Sequence, residues 1–120
     1  MKRENLVQSK SYSFAIRVVR LYQHMSLKKK EYVLSKQILR CGTSIGANIE
    51  DAIGGQSRAD FIAKLSVAFK EARETNYWLR LLKDTGYITE IEFKSIHADS
   101  EELCRIITAI QKSTKSTRNS

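Results

Sequence analysis

Apolar residues recur every three or four positions along most of the chain, which is the spacing of amphipathic helices. The first helix is predicted to begin at Ser9 or Ser11, since either serine can serve as its N-cap. A row of basic and polar residues follows the same spacing on the other side of this helix. The apolar row is Phe14, Val18, Leu21 and Met25, with Ala15, Val19 and Tyr22 beside it. The polar row is Lys10, Ser13, Arg17, Arg20, His24 and Lys28.

The second helix is predicted from Glu31 to residue 52 or 53, and the glycine pair that follows ends it. Its middle contains Gly42 and Gly46, and a glycine inside a helix costs about 1 kcal/mol relative to alanine. We expect the close approach of a neighbouring helix to offset this cost. Residues 42–46 also match the G-x-S-x-G nucleophile pattern, but that chemistry needs a strained turn between a strand and a helix. Both flanks here are helical, so a hydrolase is not expected.

The third helix is predicted to begin after Ser57, with Asp60 completing a capping-box-like arrangement. It continues to Asp84 or Thr85, where Gly86 ends it. Several apolar residues lie outside its heptad row, so this helix is either central or in contact with another subunit. These residues are Ile62, Val67, Phe69, Trp78 and Leu81.

The fourth helix is predicted to start at a cap formed by Thr89 and Glu92 and to continue to Gln111. Residues 112–120 contain no apolar side chain, so this basic Ser/Thr-rich tail is predicted to be disordered. The fourth apolar row is Phe93, Ile96, Leu103, Ile107 and Ile110. The sequence therefore predicts an all-α fold, an antiparallel up-down-up-down four-helix bundle formed by residues 1–111 as a single domain.

Composition supports helices and makes the charge distribution informative. The 120 residues include no proline and five glycines, whereas all-β and loop-rich folds use both as punctuation. The chain lacks an apolar stretch of membrane-spanning length and a signal peptide, so a cytoplasmic location is expected. The net charge is +8. Residues 1–40 contain ten Lys and Arg against two acids, whereas residues 41–84 balance at six each and residues 85–120 at five each.

The unbalanced first third predicts nucleic-acid binding, RNA or DNA, because Lys and Arg along a helix neutralise phosphates and release counterions. Tyr12 and Tyr32 are candidates for stacking on bases. A membrane surface is the nearest competitor, but the basic face lacks aromatic anchors, so no membrane contact is expected. The alternative is a protein-interaction or assembly adaptor with an acidic partner. The candidate phosphate contacts are Arg17, Arg20, Lys28, Lys29, Lys30, Lys36 and Arg40.

Groups that support catalysis or bind metals are few. The imidazoles and thiols are His24, His97, Cys41 and Cys104, and none of them pair at zinc-finger spacing. No Glu-x-x-His pair of a di-metal bundle is present. We therefore expect no metal, no cofactor and no enzymatic activity.

Two acids of the third helix, Glu71 and Glu74, are better explained by structure than by chemistry. A partly buried acid needs a cation, which either Arg40 or Arg73 can supply. An ion pair between helices is expected, and Arg40 is the arginine that would join two of them. Arg40 is accordingly a candidate both for this structural ion pair and for a phosphate contact.

Three stretches carry a family resemblance: LRCGTSIGANIEDA at 39–52, SRADFIAKL at 57–65 and KEARETNYWL at 70–79. They resemble the bacterial four-helix-bundle family of proteins encoded in intervening sequences of 23S ribosomal RNA genes, also labelled S23 ribosomal protein. The likeness covers nearly the whole chain and extends more distantly to the accessory variability proteins of diversity-generating retroelements.

The resemblance implies a four-helix protomer that assembles into a homopentameric ring with a basic surface for nucleic acid. In the retroelement relatives that ring works beside a reverse transcriptase, which the resemblance thus implies as a partner class. The positions that match the family motif are expected to hold helices or subunits together and not to be catalytic. These positions are Arg40, Asn48, Glu50, Glu71, Glu74, Tyr77 and Trp78.

Overall fold

The structure is a computed structural model that describes the backbone of residues 2–119 and the side chains of residues 4–115. Its helices are α1 (Lys2–Leu27), α2 (Leu34–Ile53), α3 (Arg58–Asp84) and α4 (Glu90–Asn119). No strand occurs within residues 2–119, so the described chain is all-α, as the apolar spacing predicts. None of these four helices combines the length and the apolar content needed to cross a membrane.

Each helix packs against two others. α1 contacts α2 and α4, and α3 likewise contacts α2 and α4. The space between the helices is filled by aliphatic and aromatic side chains, each of which contributes about 1.5–3 kcal/mol when fully buried. The largest of them are Phe14, Met25, Ile38, Ile45, Ile49, Leu65, Leu79, Leu82, Leu103, Ile107 and Ile110.

α1 begins at Lys2, well before the predicted start at Ser9 or Ser11. Ser11 is buried, and its hydroxyl donates to the carbonyl oxygen of Gln8 at 3.1 Å, inside the helix. The added turns also reach the core, because Val7 is buried there and the amide of Gln8 donates to the carboxylate of Glu50 at 3.0 and 3.1 Å. Contacts with α2 therefore extend the helix beyond its two candidate caps.

α2 begins at Leu34, after the predicted start at Glu31. Glu31 is buried, and its carboxylate accepts hydrogen bonds from the backbone N–H groups of Val33, Leu34 and Ser35 at 2.8, 3.0 and 2.9 Å. The Ser35 hydroxyl in turn donates to the carbonyl oxygen of Glu31 at 2.9 Å. Glu31 thus caps the helix from outside, because a helix N-terminus leaves N–H groups unpaired and favours negative charge.

The close approach predicted for the small segment of α2 is confirmed. Gly42 and Gly46 are both buried against α1. A Cβ atom at Gly42 would lie 2.7 and 2.8 Å from the two γ-carbons of Val18, and one at Gly46 would lie 3.4 Å from the carbonyl oxygen of Ser11. Gly42 therefore makes room for the Val18 side chain, and Gly46 lets the backbone of α2 approach that of α1.

The predicted ends of α3 and the predicted start of α4 are confirmed. The Ser57 hydroxyl accepts a hydrogen bond from the N–H of Asp60 at 3.0 Å, and Gly86 has a φ of +84° just after the helix. Thr89 and Glu92 form a reciprocal capping box, with N–H to side-chain distances of 2.8 and 3.1 Å. All of these bonds join residues three positions apart, which is why local sequence reveals them.

The apolar residues off the heptad row of α3 divide between the core and the surface. Phe69 and Trp78 pack against the core, and Val67 is exposed. α4 continues to Asn119, past the predicted end at Gln111 and into the predicted tail, while Ser120 lies outside the described residues. Within this extension the Thr114 hydroxyl donates to the Ile110 carbonyl oxygen at 2.8 Å.

Candidate nucleic-acid interface

The end of α1, the turn that follows and the start of α2 carry exposed cations, which we call the basic end. Its members share two properties: each side chain is exposed, and none forms an ion pair with any residue in the range 4–115. The members are Arg20, Lys28, Lys29, Lys30 and Lys36. All five belong to the set of phosphate contacts that the sequence predicts, and their role as contacts stays a prediction.

The turn that carries the three lysines has a defined backbone. The N–H of Lys28 donates to the His24 carbonyl oxygen at 2.9 Å, and the N–H of Glu31 donates to the Met25 carbonyl oxygen at 3.0 Å. Between them Lys30 adopts a φ of +55°, in the left-handed region that favours glycine. This conformation costs a residue with a Cβ about 1–2 kcal/mol.

Arg17, another predicted phosphate contact, lies on the side of α1 that faces α4. Its guanidinium donates to the Asp99 carboxylate at 2.7 Å, to the Ser95 carbonyl oxygen at 3.2 Å and to the Ser95 hydroxyl at 3.0 Å. The Lys10 Nζ atom, also in α1, lies 3.0 Å from the carboxylate of Glu102 in α4. The polar row of α1 is therefore not free of acids along its length, because α4 supplies them from a distant part of the chain.

Arg40 lies on the side of α2 that faces α3, where the structure brings it together with the two acids singled out above. Its Nη1 is 3.3 Å from Glu71 Oε2, and its Nη2 contacts Glu74 Oε2. The indole N–H of Trp78 donates to the same oxygen of Glu74 at 3.1 Å. Arg73 does not take part in this network.

A groove of about 490 Å³ lies between α1 and the start of α4, next to the basic end. Arg17, Arg20 and His24 line one side, and apolar residues including Ile91, whose side chain is 82% exposed, line the other. Glu92 also borders it, and the capping hydrogen bonds from Thr89 hold the pKa of its carboxyl below the usual value, with a smaller effect from His24 and Lys29. Glu92 is therefore charged at neutral pH and is the acid that borders this groove beside the basic end.

The face of α1 turned away from the core carries an apolar row, which helical spacing alone does not separate from the core row. We call it the α1 stripe: Tyr12, Ile16 and Val19, with exposed fractions of 67%, 42% and 37%. It borders a shallow groove of about 380 Å³ that also includes Gln23. The signal was present in the sequence, since these residues follow helical spacing, but Val19 was expected to widen the buried arc.

The other groups considered from sequence are engaged in structural contacts. Ser44 lies inside α2 with its hydroxyl donating to the Arg40 carbonyl oxygen at 2.6 Å, not on a strand-to-helix turn. Cys41 is buried beside the Thr75 hydroxyl, 3.2 Å from its sulfur, and burial raises the pKa of the thiol to about 11. Burial also raises the pKa of Cys104. Within residues 2–119 no three His, Cys, Asp or Glu side chains converge as a metal site would require.

Within the described residues, fold and surface together define an all-α protein of four helices, with cations at one end that form no ion pair with residues 4–115. The family model described as 23S rRNA-intervening sequence protein matches residues 3–109, so the chain belongs to this family, and the resemblance seen in the sequence is confirmed. A solved structure from Bacteroides thetaiotaomicron VPI-5482, described as a protein with unknown function from the S23 ribosomal protein family, is 54% identical to the chain. The match has a TM-score of 0.91 and covers 92% of this chain and 98% of that one. No curated protein matches the chain significantly.

Proposed function

We propose that this protein is a non-enzymatic, oligomeric helical bundle that binds nucleic acid, RNA or DNA, through its basic end. One observation carries the proposal: the five cations of the basic end are exposed and lack ion-pair partners within residues 4–115, whereas Arg17 and Arg40 are engaged with acids. Uncompensated Lys and Arg neutralise phosphates and release condensed counterions, which gives salt-sensitive affinity with little dependence on base sequence.

Arg17 and Arg40 have a different role in this proposal from the one expected for them. Each lies at the margin of the basic end and is bonded to acids of a neighbouring helix, so it fixes α1 on α4 or α2 on α3 and its charge is compensated there. Tyr32, which is 49% exposed beside the lysine turn, is the aromatic residue available to stack on an unpaired base.

The proposed assembly follows the family resemblance. Connections of four to six residues between consecutive helices favour an up-down-up-down order, because short loops join antiparallel neighbours. We propose that copies of this bundle form a pentameric ring, for which the α1 stripe supplies an exposed apolar surface. A ring would repeat the basic end in each subunit, so weak contacts would combine into a higher overall affinity.

The test is a binding titration with a labelled RNA strand and a labelled DNA duplex at several salt concentrations. The variant Lys28→Gln/Lys29→Gln/Lys30→Gln removes three cations of the basic end. We expect the slope of log K against log salt to become shallower by about 2 to 3 units, because each lost phosphate contact removes about 0.7 to 0.9. The affinity should fall at least tenfold at about 0.1 M salt by the same counterion argument.

A matched control removes the same charge elsewhere. The paired-lysine control, Lys10→Gln/Lys64→Gln/Lys94→Gln, replaces lysines that each lie within 4.0 Å of an acid. It should retain most of the wild-type slope. Equal losses in the two variants would show a net-charge effect only, and an unchanged affinity in the basic-end variant would remove the lysines from the proposal.

An assembly adaptor without direct nucleic-acid binding is the second candidate, and the α1 stripe favours it. Exposed apolar rows of this kind are typical of protein contacts. In that case the partner would be a protein, of which a reverse transcriptase is the class that the family resemblance implies. Heparin distinguishes the two candidates, because it displaces a ligand held by charge alone and leaves a shape-complementary apolar interface intact.

A further inference from the structure

A second row of cations lies on the outer face of α3, where the balanced charge count of residues 41–84 gave no sign of it. Lys70, Arg73, Tyr77 and Arg80 are all exposed and follow one another at steps of three and four residues. They therefore lie on one face of the helix, over about 15 Å at 1.5 Å per residue. We call these four residues the α3 outer row.

Two of the acids that balance this row in the sequence point towards another helix. Glu71 and Glu74 are drawn to Arg40 of α2, and Asp84 lies 3.6 Å from Lys83. None of the cations in the α3 outer row forms an ion pair with residues 4–115. Glu71 and Glu74 thus face α2 and leave the cations of the row in solvent, whereas the exposed Asp84 follows Arg80 by four residues at the end of the row.

α4 extends the positive surface. Arg105 and Lys112 are exposed beside a groove of about 440 Å³ between α3 and α4. Arg73 and Arg105 both act electrostatically on the thiol of Cys104, which lies in that groove. Glu101, the acid at this seam, accepts a hydrogen bond from Asn76 at 2.9 Å and lies 3.4 Å from the His97 imidazole.

An aromatic side chain lies within the row. Tyr77 is 49% exposed, packs edge-on against Trp78 with ring centroids 5.0 Å apart, and has the Arg80 guanidinium 6.0 Å from its ring centre. The packing against Trp78 fixes the ring while leaving part of its surface in solvent. A cationic row with a fixed aromatic ring is the combination that binds an unpaired strand, since phosphates meet the cations and a base stacks on the ring.

We propose that the α3 outer row, with Arg105, is a second binding surface, specific for single-stranded nucleic acid. The inference rests on the proposed function and adds a site to it. Its length matches about four nucleotides of a stacked strand at about 3.4 Å each. The basic end lies on α1, the turn after it and the first turn of α2, whereas this row lies on α3 and Arg105 lies on α4. The two surfaces therefore consist of different residues on different helices, although α2 packs against α3.

The first experiment compares three variants by fluorescence anisotropy, with a labelled 20-nucleotide single strand and the corresponding duplex as probes. They are Lys70→Gln/Arg73→Gln/Arg80→Gln, the basic-end variant Lys28→Gln/Lys29→Gln/Lys30→Gln and the paired-lysine control. For the single strand, the α3 variant should weaken the salt slope by about 2, since three contacts at about 0.7 each are lost. The paired-lysine control should change it by less than half as much.

The second experiment uses the single tryptophan of the chain as a local probe. Because the Trp78 ring touches Tyr77, a strand bound at the α3 outer row should change Trp78 emission in the wild type and in the basic-end variant. Tyr77→Leu should reduce single-strand affinity several-fold and abolish the emission change, while duplex affinity stays within twofold of wild type. Circular dichroism and thermal unfolding verify that each variant is folded.

The outcomes separate this inference from the proposed function. If the α3 variant binds like wild type while the basic-end variant loses affinity, the second surface is wrong and the proposed function stands. Equal losses in the α3 variant and the paired-lysine control, or an unchanged single-strand affinity in Tyr77→Leu, also overturn the inference. If wild-type protein binds neither probe, both proposals are wrong.

Discussion

Lys30 combines an unfavourable backbone conformation with an exposed charge. Its φ of +55° suits glycine, and glycine is the common residue where a chain leaves a helix in this conformation. A lysine at this position stabilises the fold less than glycine would. Under the proposed function, stability would favour glycine at this position and binding would favour lysine.

Lys30→Gly should separate those demands. We expect the free energy of unfolding to rise by about 1 kcal/mol, because glycine relieves the left-handed strain, while nucleic-acid affinity falls through the loss of one cation. Denaturant unfolding and salt titrations measure the two quantities on the same sample. Lys29→Gly is the control, since it removes a neighbouring cation without relieving a positive φ. A destabilised Lys30→Gly protein would contradict the structural argument.

At the scale of elements, the contact between α1 and α2 depends on one glycine more than on the other. A Cβ at Gly42 would overlap both γ-carbons of Val18, whereas a Cβ at Gly46 meets the Ser11 carbonyl oxygen at 3.4 Å. Alanine gains about 1 kcal/mol of helix propensity at either position. Only at Gly42 does steric overlap outweigh that gain.

Gly42→Ala should therefore destabilise the protein by about 1–3 kcal/mol, as overpacked helix contacts do. Gly46→Ala should change the free energy of unfolding by less than about 1 kcal/mol, because the propensity gain offsets the tighter contact. Guanidinium unfolding checks both. The double variant Val18→Ala/Gly42→Ala tests the cause, since removing the two γ-carbons should reduce the penalty of the added methyl group. Additive effects of the two substitutions would locate the strain elsewhere.

The start of a helix was predictable where a local capping hydrogen bond fixes it. It was not predictable where a contact with a residue far away in the sequence fixes it. Ser57 and Thr89 were recognisable as helix N-caps because each forms its capping hydrogen bond with the residue three positions ahead. Ser11 is also a residue type that commonly caps helices, but it lies inside α1. The helix starts earlier because Val7 is buried in the core and Gln8 bonds to Glu50, which is 42 residues away. Glu31 was assigned to the helix that it caps, because sequence alone does not show which way its carboxylate turns.

For the whole molecule, charge counted by segment gave only part of the electrostatic surface. The excess in residues 1–40 predicted the basic end, but Arg17 pairs with Asp99 from 82 residues further along the chain. The charge count did not reveal the α3 outer row, because Glu71 and Glu74 balance its cations in the sequence but face α2 in the structure. Sequence gives the sum of charges, and packing decides which of them remain in solvent.

Assembly is the prediction that belongs to this scale. Ile16 is in the middle of the α1 stripe, so Ile16→Glu places a charge in the proposed subunit contact and should reduce the particle mass to that of the 13.8 kDa protomer. Light scattering coupled to gel filtration measures it, with wild type expected at a multiple of that mass. Ile91→Glu, at a more exposed isoleucine outside the stripe, should leave the mass unchanged. A wild-type monomer would contradict the ring.

The cap formed by Glu31 also affects how the lysine turn meets a ligand. The turn is fastened on one side by the bond from the Glu31 N–H to Met25 and on the other by three amides that hold the carboxylate. A polyanion that bound here as proposed would meet cations on a backbone that is already ordered, so association would cost side-chain freedom but little main-chain entropy. The same carboxylate is engaged by those three amides and forms no ion pair with a lysine within residues 4–115.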